Sequence, residues 1–195
     1  MVYLNLDLET GIAMVISVFP CRVGDKWLVV ALDDQGRLFA NSLPSDDLQG
    51  SVGRIAQSLR RRGIGNFEVA SANLKAKSVA CAILQGDDFE IALDGLSPLA
   101  ASVLMRVRKI PKGTVASYRD IASELGNPGL ARFVGNLMSR NPFPFAVPCH
   151  RVIRSDMSLG GFSYGEDEKR RLLSAEGVEI ANGRVRARHR LVRGT

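Results

Sequence analysis

Histidine, cysteine and tryptophan are scarce: two, three and one respectively in 195 residues. His150 and His189 with Cys21, Cys81 and Cys149 form none of the recurrent metal-ligand spacings, so neither zinc nor haem is expected and no cofactor is called for. The cysteines are also too few and too scattered for a disulfide framework; Cys21 and Cys81 read as buried, inert thiols, with pairing left open. No uncharged apolar run approaches the roughly 18 to 20 residues that a spanning helix needs. The apolar stretch 11–20 has no basic residue before it, and Asp7 and Glu9 stand where a secretory leader carries positive charge. A cytoplasmic, non-membrane protein is therefore expected. Repeats and low-complexity tracts are lacking too, which excludes solenoid and collagen-like chains. Lysine is sparse beside arginine, six against twenty, a bias compatible with genomic base composition or with life at high temperature and diagnostic of neither.

What is present is enough for a real core: 46% of residues are hydrophobic and 24% charged. The net charge of +6 is unevenly spread. Residues 1–95 hold nine basic and twelve acidic side chains, residues 96–195 seventeen and eight. The second half thus has the footprint of a phosphate-neutralising domain, though a solvated basic surface gives the same numbers. Asp94-Gly95 marks the expected boundary between domains 1–95 and 96–195.

In the first half, runs 11–20, 27–33 and 36–40 are β-branched and apolar and are separated by turn residues, as in a small antiparallel sheet. The spacing of Val52, Ile55, Ala56 and Leu59 predicts a helix over 48–61. Further strands are expected near 67–70, 79–84 and 89–93. Asp7, Glu9, Asp33 and Asp34 read as surface turns rather than as a metal cluster.

The second half reads as helical. Ser97-Pro98 opens a helix with Leu99, Val103 and Val107 on one face. Ser117 and Asp120 form a capping box for a second, with Tyr118, Ile121, Ala122 and Leu125 as its stripe and Gly126 as its stop. Asn127-Pro128 opens a third, whose Leu130, Phe133, Val134, Leu137 and Met138 keep a helical period while Arg132, Gly135, Asn136 and Ser139 form a slim polar face. Two helices joined by a tight glycine turn, the second slim and carrying an arginine, suit a helix-turn-helix in a DNA groove.

Asn141 to Ile153 contains three prolines followed by Cys149-His150-Arg151. The prolines impose an extended, rigid path, and a thiol beside hydrogen-bonding and cationic groups is a candidate nucleophile. Glu176 follows Leu172 and Leu173 at a helix end where the dipole disfavours an anion, so facing inward it is expected to have a compensating partner, which His150 would supply; a frayed, exposed Glu beside Gly177 is the alternative.

Pro148-Cys149-His150-Arg151, preceded by Asn141-Pro142, resembles the active-site signature of the O6-alkylguanine-DNA alkyltransferases. Ser117-Tyr118, Ile121-Ala122, Gly126-Asn127-Pro128, Ala131-Arg132, Val134-Gly135, Gly160-Gly161, Lys169, Leu172-Leu173 and Glu176-Gly177 fall in that family's order, covering about 109–178. The resemblance implies an α+β protein with an N-terminal ribonuclease-H-like α/β domain and a C-terminal winged helix-turn-helix domain. It implies a monomer whose partner is double-stranded DNA containing alkylated guanine. The implied activity is transfer of the alkyl group from O6 of guanine, less readily O4 of thymine, to Cys149, irreversibly and once per molecule.

By the same resemblance His150 accepts the Cys149 proton through a water and Glu176 orients His150. Tyr118 crowds the phosphate and bonds the flipped base, Arg132 fills the vacated stack, and Asn141 ties the recognition helix to the active-site turn. Gly135, Asn136 and Arg151 fall among the DNA contacts, the Val152 carbonyl faces the guanine amine, Ser163 approaches O6, and Gly160 and Gly161 let the wing lie close. Phe162 stands where many members have tyrosine, and Tyr164 where glycine is frequent. The segment 179–195, with Arg184, Arg186, Arg188, Arg190 and Arg193 around Asn182-Gly183, is either a hairpin contacting phosphates or a solvated tail. His189 lies within it and is assigned no role.

Overall fold

A computed structural model of the chain describes residues 5–6 and 13–191. Asp7, Glu9, the start of the 11–20 run and Arg193 lie outside the described residues. The fold is mixed α+β and divides into two compact units: one runs to Leu96 and includes Pro142–Ala146, the other comprises Ser97–Asn141 and the residues from Val147 onward. The expected second domain included 142–146, which groups instead with the first unit.

In the first unit, short strands β1 (Asn5–Leu6) and β2 (Ala13–Met14) pair with each other. A separate sheet contains β3 (Ser17–Val23), β4 (Lys26–Leu32), β5 (Leu38–Asn41) and β6 (Glu68–Val69) in the order β5-β4-β3-β6. The first three are antiparallel and β6 runs parallel to β3. Strand β3 continues through Pro20, because β6 pairs only with Ser17 and Val18 and a residue without N–H is tolerated where one flank is unpaired. Helix α1 (Leu48–Arg61) spans the expected residues; the Asp47 carboxylate caps it by accepting from the Gly50 N–H, and Ile55, Ala56 and Leu59 are buried.

One expectation fails here. Residues 79–84, read as a strand, lie within α2 (Leu74–Gln85). The short apolar run concealed a helical period, with Ala76, Val79, Ala80 and Ile83 buried, a start capped by Asn73 and a stop at left-handed Gly86; Cys81, expected to be buried, lies on the exposed face of this helix, and it and buried Cys21 are both free thiols. Of 89–93, only Ile91 forms a bridge, to Leu38.

The second unit begins with α3 (Pro98–Arg108), capped by Ser97. Its buried face is Ala100, Val103, Leu104 and Val107, so Leu99, expected on that face, is turned outward. Strand β7 (Ala116–Ser117) leads directly into α4 (Tyr118–Glu124), and both bonds of the Ser117/Asp120 capping box are present. After left-handed Gly126, a 3₁₀ turn over Pro128–Leu130 precedes α5 (Ala131–Met138), where Val134 and Met138 are buried and Arg132, Asn136 and Ser139 are exposed. A second 3₁₀ turn, Cys149–Arg151, runs into β8 (Val152–Ile153), which pairs in parallel with β7. Helix α6 (Glu166–Ala175) and a hairpin of β9 (Ile180–Ala181) and β10 (Arg184–Val185) complete the unit, with Leu173, Val178 and Val185 buried against Val115, Ile153 and Leu159. No helix among the described residues is long and apolar enough to cross a membrane.

Candidate active site

The parallel β7–β8 pairing sets Ala116 opposite Val152 and Ser117 opposite Ile153, so the start of α4 lies beside the turn that presents Cys149. A cavity of about 280 Å³ opens there, lined by Tyr118, Gly135, Met138, Ser139, Cys149 and Gly161 to Ser163. Cys149 itself is buried. Burial pushes its thiol pKa up; opposing this are a hydrogen bond from the Asn141 side chain, the nearby Lys169 charge, and the backbone N–H groups of Cys149 and His150. The sulfur is therefore a thiol at neutral pH that requires a base, in surroundings arranged to receive negative charge.

His150 is buried, and its Nε2 lies 3.0 Å from Glu176 Oε1. An ionised carboxylate only accepts, so Nε2 carries the proton and Nδ1 keeps a lone pair. Burial lowers the His150 pKa, only partly countered by Glu176, which keeps the ring neutral and able to take a proton. Glu176, at the end of α6, also accepts from Arg151: Nε at 2.9 and 3.2 Å, Nη2 at 2.7 Å. Burial alone would raise the Glu176 pKa, but hydrogen bonds from His150 and Arg151 hold it down at about 2. Arg151, expected among the DNA contacts, is thus engaged with Glu176 and, through Nη1 at 2.6 Å, with the Ile110 carbonyl. It supplies a compensating charge for Glu176 beside the partner expected in His150.

Asn141 continues the end of α5, its N–H reaching the Met138 carbonyl, while Nδ2 donates to the Val147 carbonyl at 2.8 Å. Tyr118 is half-buried, and burial raises its hydroxyl pKa, with Cys149 adding to the rise. Gly135 lies against the Tyr118 ring. Gly161 and Ser163 are exposed at the cavity rim, and Phe162 and Tyr164 pack with ring centroids 5.6 Å apart. Arg132 and Asn136 face outward on α5.

Lys169 was matched in sequence but given no role. It is completely buried, and Nζ donates to the carbonyls of Val152 at 2.6 Å and Leu159 at 2.7 Å. One lone pair of the Val152 carbonyl, expected for the guanine amine, is thereby engaged. The available signal was a lysine on the same face of α6 as Leu172, Leu173 and Glu176.

Gly160 has φ = 70°, and a Cβ there would lie 3.3 Å from Arg154 Cγ and 3.4 Å from the Tyr118 hydroxyl. Gly160→Ala should cost about 1 to 2 kcal/mol from the left-handed backbone alone, read as a lower unfolding midpoint, and should slow any chemistry that uses that hydroxyl.

Residues 98–178 match the family model for the DNA-binding domain of 6-O-methylguanine DNA methyltransferase. The chain is 31% identical over 172 residues to the methylated-DNA–protein-cysteine methyltransferase of Thermococcus kodakarensis, covering 84% of this chain and 97% of that protein. This chain belongs to the methylated-DNA–protein-cysteine methyltransferase family. Other members are matched over a part only: 41% identity to that of Methanothermobacter thermautotrophicus, spanning 48% of this chain and 53% of the relative. A bifunctional methyltransferase/endonuclease of Picrophilus torridus is 49% identical, over 40% of this chain and 26% of the relative. Among solved structures, the O6-methylguanine-DNA methyltransferase of Pyrococcus kodakaraensis superposes with a TM-score of 0.65 at 29% identity, covering 84% of this chain and all of that one. OGT of Mycobacterium tuberculosis in complex with DNA gives 0.61 at 26% identity, covering 82% and 92%.

Proposed function

We propose that this chain repairs DNA by transferring the alkyl group from O6 of guanine in double-stranded DNA to Cys149, directly and once per molecule. The bond between O6 and the alkyl carbon breaks as an S–C bond forms. The thiol proton passes by way of water to His150 Nδ1, and the departing guanine anion takes up one proton from water as the imidazolium returns its own to water, so one proton moves in all from sulfur to guanine. The thioether is not hydrolysed, so the reaction ends there. The observation that carries this reading is Cys149 in the wall of a cavity, with Asn141 and Lys169 favouring its thiolate and a neutral His150 held by Glu176 beside it. At about 280 Å³ the cavity is at the small end of ligand clefts, roughly 300 to 1,000 Å³, which suits one extruded base.

The α4–turn–α5 pair, with the glycine turn at Gly160 and Gly161 beside it as the wing, supports a winged helix-turn-helix reading, with α5 in the groove, Arg132 entering the stack, and Asn136 and Gly135 at the DNA surface. Tyr118, the Val152 carbonyl, Gly161 and Ser163 then surround the base. The sheet order β5-β4-β3-β6, with α1 preceding parallel β6, supports a ribonuclease-H-like first unit.

Incubating the protein with a duplex containing O6-methylguanine, and mapping the product by mass spectrometry, should place one methyl on the Cys149 peptide and none in Cys149→Ala. Tight lesion binding with no adduct would instead make it a protein that flags damage without removing it.

A further inference from the structure

The segment 179–191 is tied into the catalytic unit. Val185 is buried in the core, and the hairpin turns at Asn182 and Gly183, both left-handed. Beyond it the backbone pairs with residue 115: the Val115 N–H donates to the His189 carbonyl at 2.8 Å, and the Leu191 N–H to the Val115 carbonyl at 2.7 Å. His189 is half-buried. The Glu179 N–H donates to its Nε2 at 3.1 Å, so Nε2 holds a lone pair and the proton sits on Nδ1, which donates to the Gly113 carbonyl at 3.1 Å. Gly113 in turn sends its N–H to Glu176 Oε2 at 3.3 Å. It has φ = 78°, and a Cβ there would lie 3.2 Å from the Glu176 carbonyl oxygen, so only glycine makes this approach without strain. The next residue, Arg190, donates to both oxygens of Asp120, at 2.8 and 3.2 Å. That carboxylate also closes the capping box beneath Tyr118.

Resting on the alkyl-transfer reading above, we propose that segment 179–191 is a positioning strap for the reaction. His189, through Gly113, holds the Glu176 carboxylate on His150; Arg190, through Asp120, holds the first turn of α4 and with it Tyr118. Both are positioning residues, touching neither the sulfur nor the base. The arrangement also accounts for charges that sequence offered to phosphates: Arg184, Arg188 and Arg190 are ion-paired with Asp156, Glu179 and Asp120.

Single-turnover kinetics of the full chain, with O6-methylguanine duplex varied through saturation, separate the transfer rate constant from the DNA Kd. At temperatures well below each variant's unfolding midpoint, His189→Ala should lower the rate constant about tenfold and leave Kd within about twofold, as expected when a reacting group is held less accurately. His189→Asn, whose amide N–H stands near the Nδ1 position, should recover most of the loss. Arg190→Ala should likewise slow transfer without weakening binding. Wild-type rates in both alanine variants would overturn the strap, as would a rise in Kd alone, which makes the segment a DNA contact. An asparagine variant as slow as alanine would overturn the His189 assignment. If the wild-type chain itself transfers nothing, the functional reading falls instead.

Discussion

Glu176→Ala is expected to reduce alkyl transfer on the order of a hundredfold, the scale of a misdirected general base, and to destabilise the fold by about 3 kcal/mol. The two losses have separate origins. For the rate, His150 loses the acceptor that fixes Nε2–H and leaves Nδ1 basic. For stability, the Arg151 guanidinium loses both oxygens and keeps only the Ile110 carbonyl. Glu176→Gln distinguishes them, since its carbonyl still accepts one hydrogen bond but its charge is gone. Without that charge the His150 pKa falls further, so the limb of the pH–rate profile that rises with His150 deprotonation should move to lower pH while the plateau drops. Single-turnover rates from pH 5 to 9 and urea unfolding at pH 7 check both parts; an unchanged profile in Glu176→Gln would remove Glu176 from the base.

Lys169→Met carries the second large effect. Folding buries this ammonium completely and lowers its pKa from 10.5 to about 8, chiefly by desolvation, a cost of about 3 kcal/mol at pH 7. Methionine removes that cost but leaves the Val152 and Leu159 carbonyls without a donor, at about 1 to 3 kcal/mol each. The terms nearly offset at pH 7 and part company above it. Between about pH 8 and 10.5 the unfolded chain binds the Lys169 proton more tightly than the folded one, so stability rises with pH in that window; below pH 8 the cost is felt in full. In a Cys149→Ala background, which removes the competing thiol, the lysine protein should gain about 2 kcal/mol between pH 7 and 9.5, and the Lys169→Met protein should not. With Cys149 restored, loss of the ammonium raises the thiol further, and transfer at pH 7 should slow about tenfold for each unit of that rise. Equal urea midpoints across pH in both backgrounds would contradict a buried, protonated Lys169.

Which parts of this were visible in sequence follows from the range of the forces involved. Helix α1 and the Ser117/Asp120 box are decided by neighbours a few residues apart, and they stand where periodicity and capping put them; Asn127-Pro128, expected to open the third helix, opens a 3₁₀ turn instead, and α5 starts at Ala131. Helix α2 was mistaken because its apolar residues fell in an unbroken run whose start signal, Asn73, lay outside the window considered. In the site, Cys149, His150 and Glu176 were legible through a family signature and through the unfavourable placement of an acid at a helix end. Arg151, placed among the DNA contacts by the resemblance, joins its neighbour His150 on the Glu176 carboxylate, and sequence gives no hint that the guanidinium turns from solvent to do so. Lys169 and His189 stayed hidden because their partners are main-chain atoms far along the chain, and backbone carbonyls leave no residue type to recognise.

The two-residue ladder between β7 and β8 also bears on how the molecule assembles. It joins strands on either side of the whole α4–α5 hairpin, a closure that is entropically costly until the intervening helices have taken up their length. Local helices are expected to form before such a distant parallel pairing, so the neighbours furthest along the chain, Lys169 for Cys149 and Glu176 for His150, should come into place after the local ones.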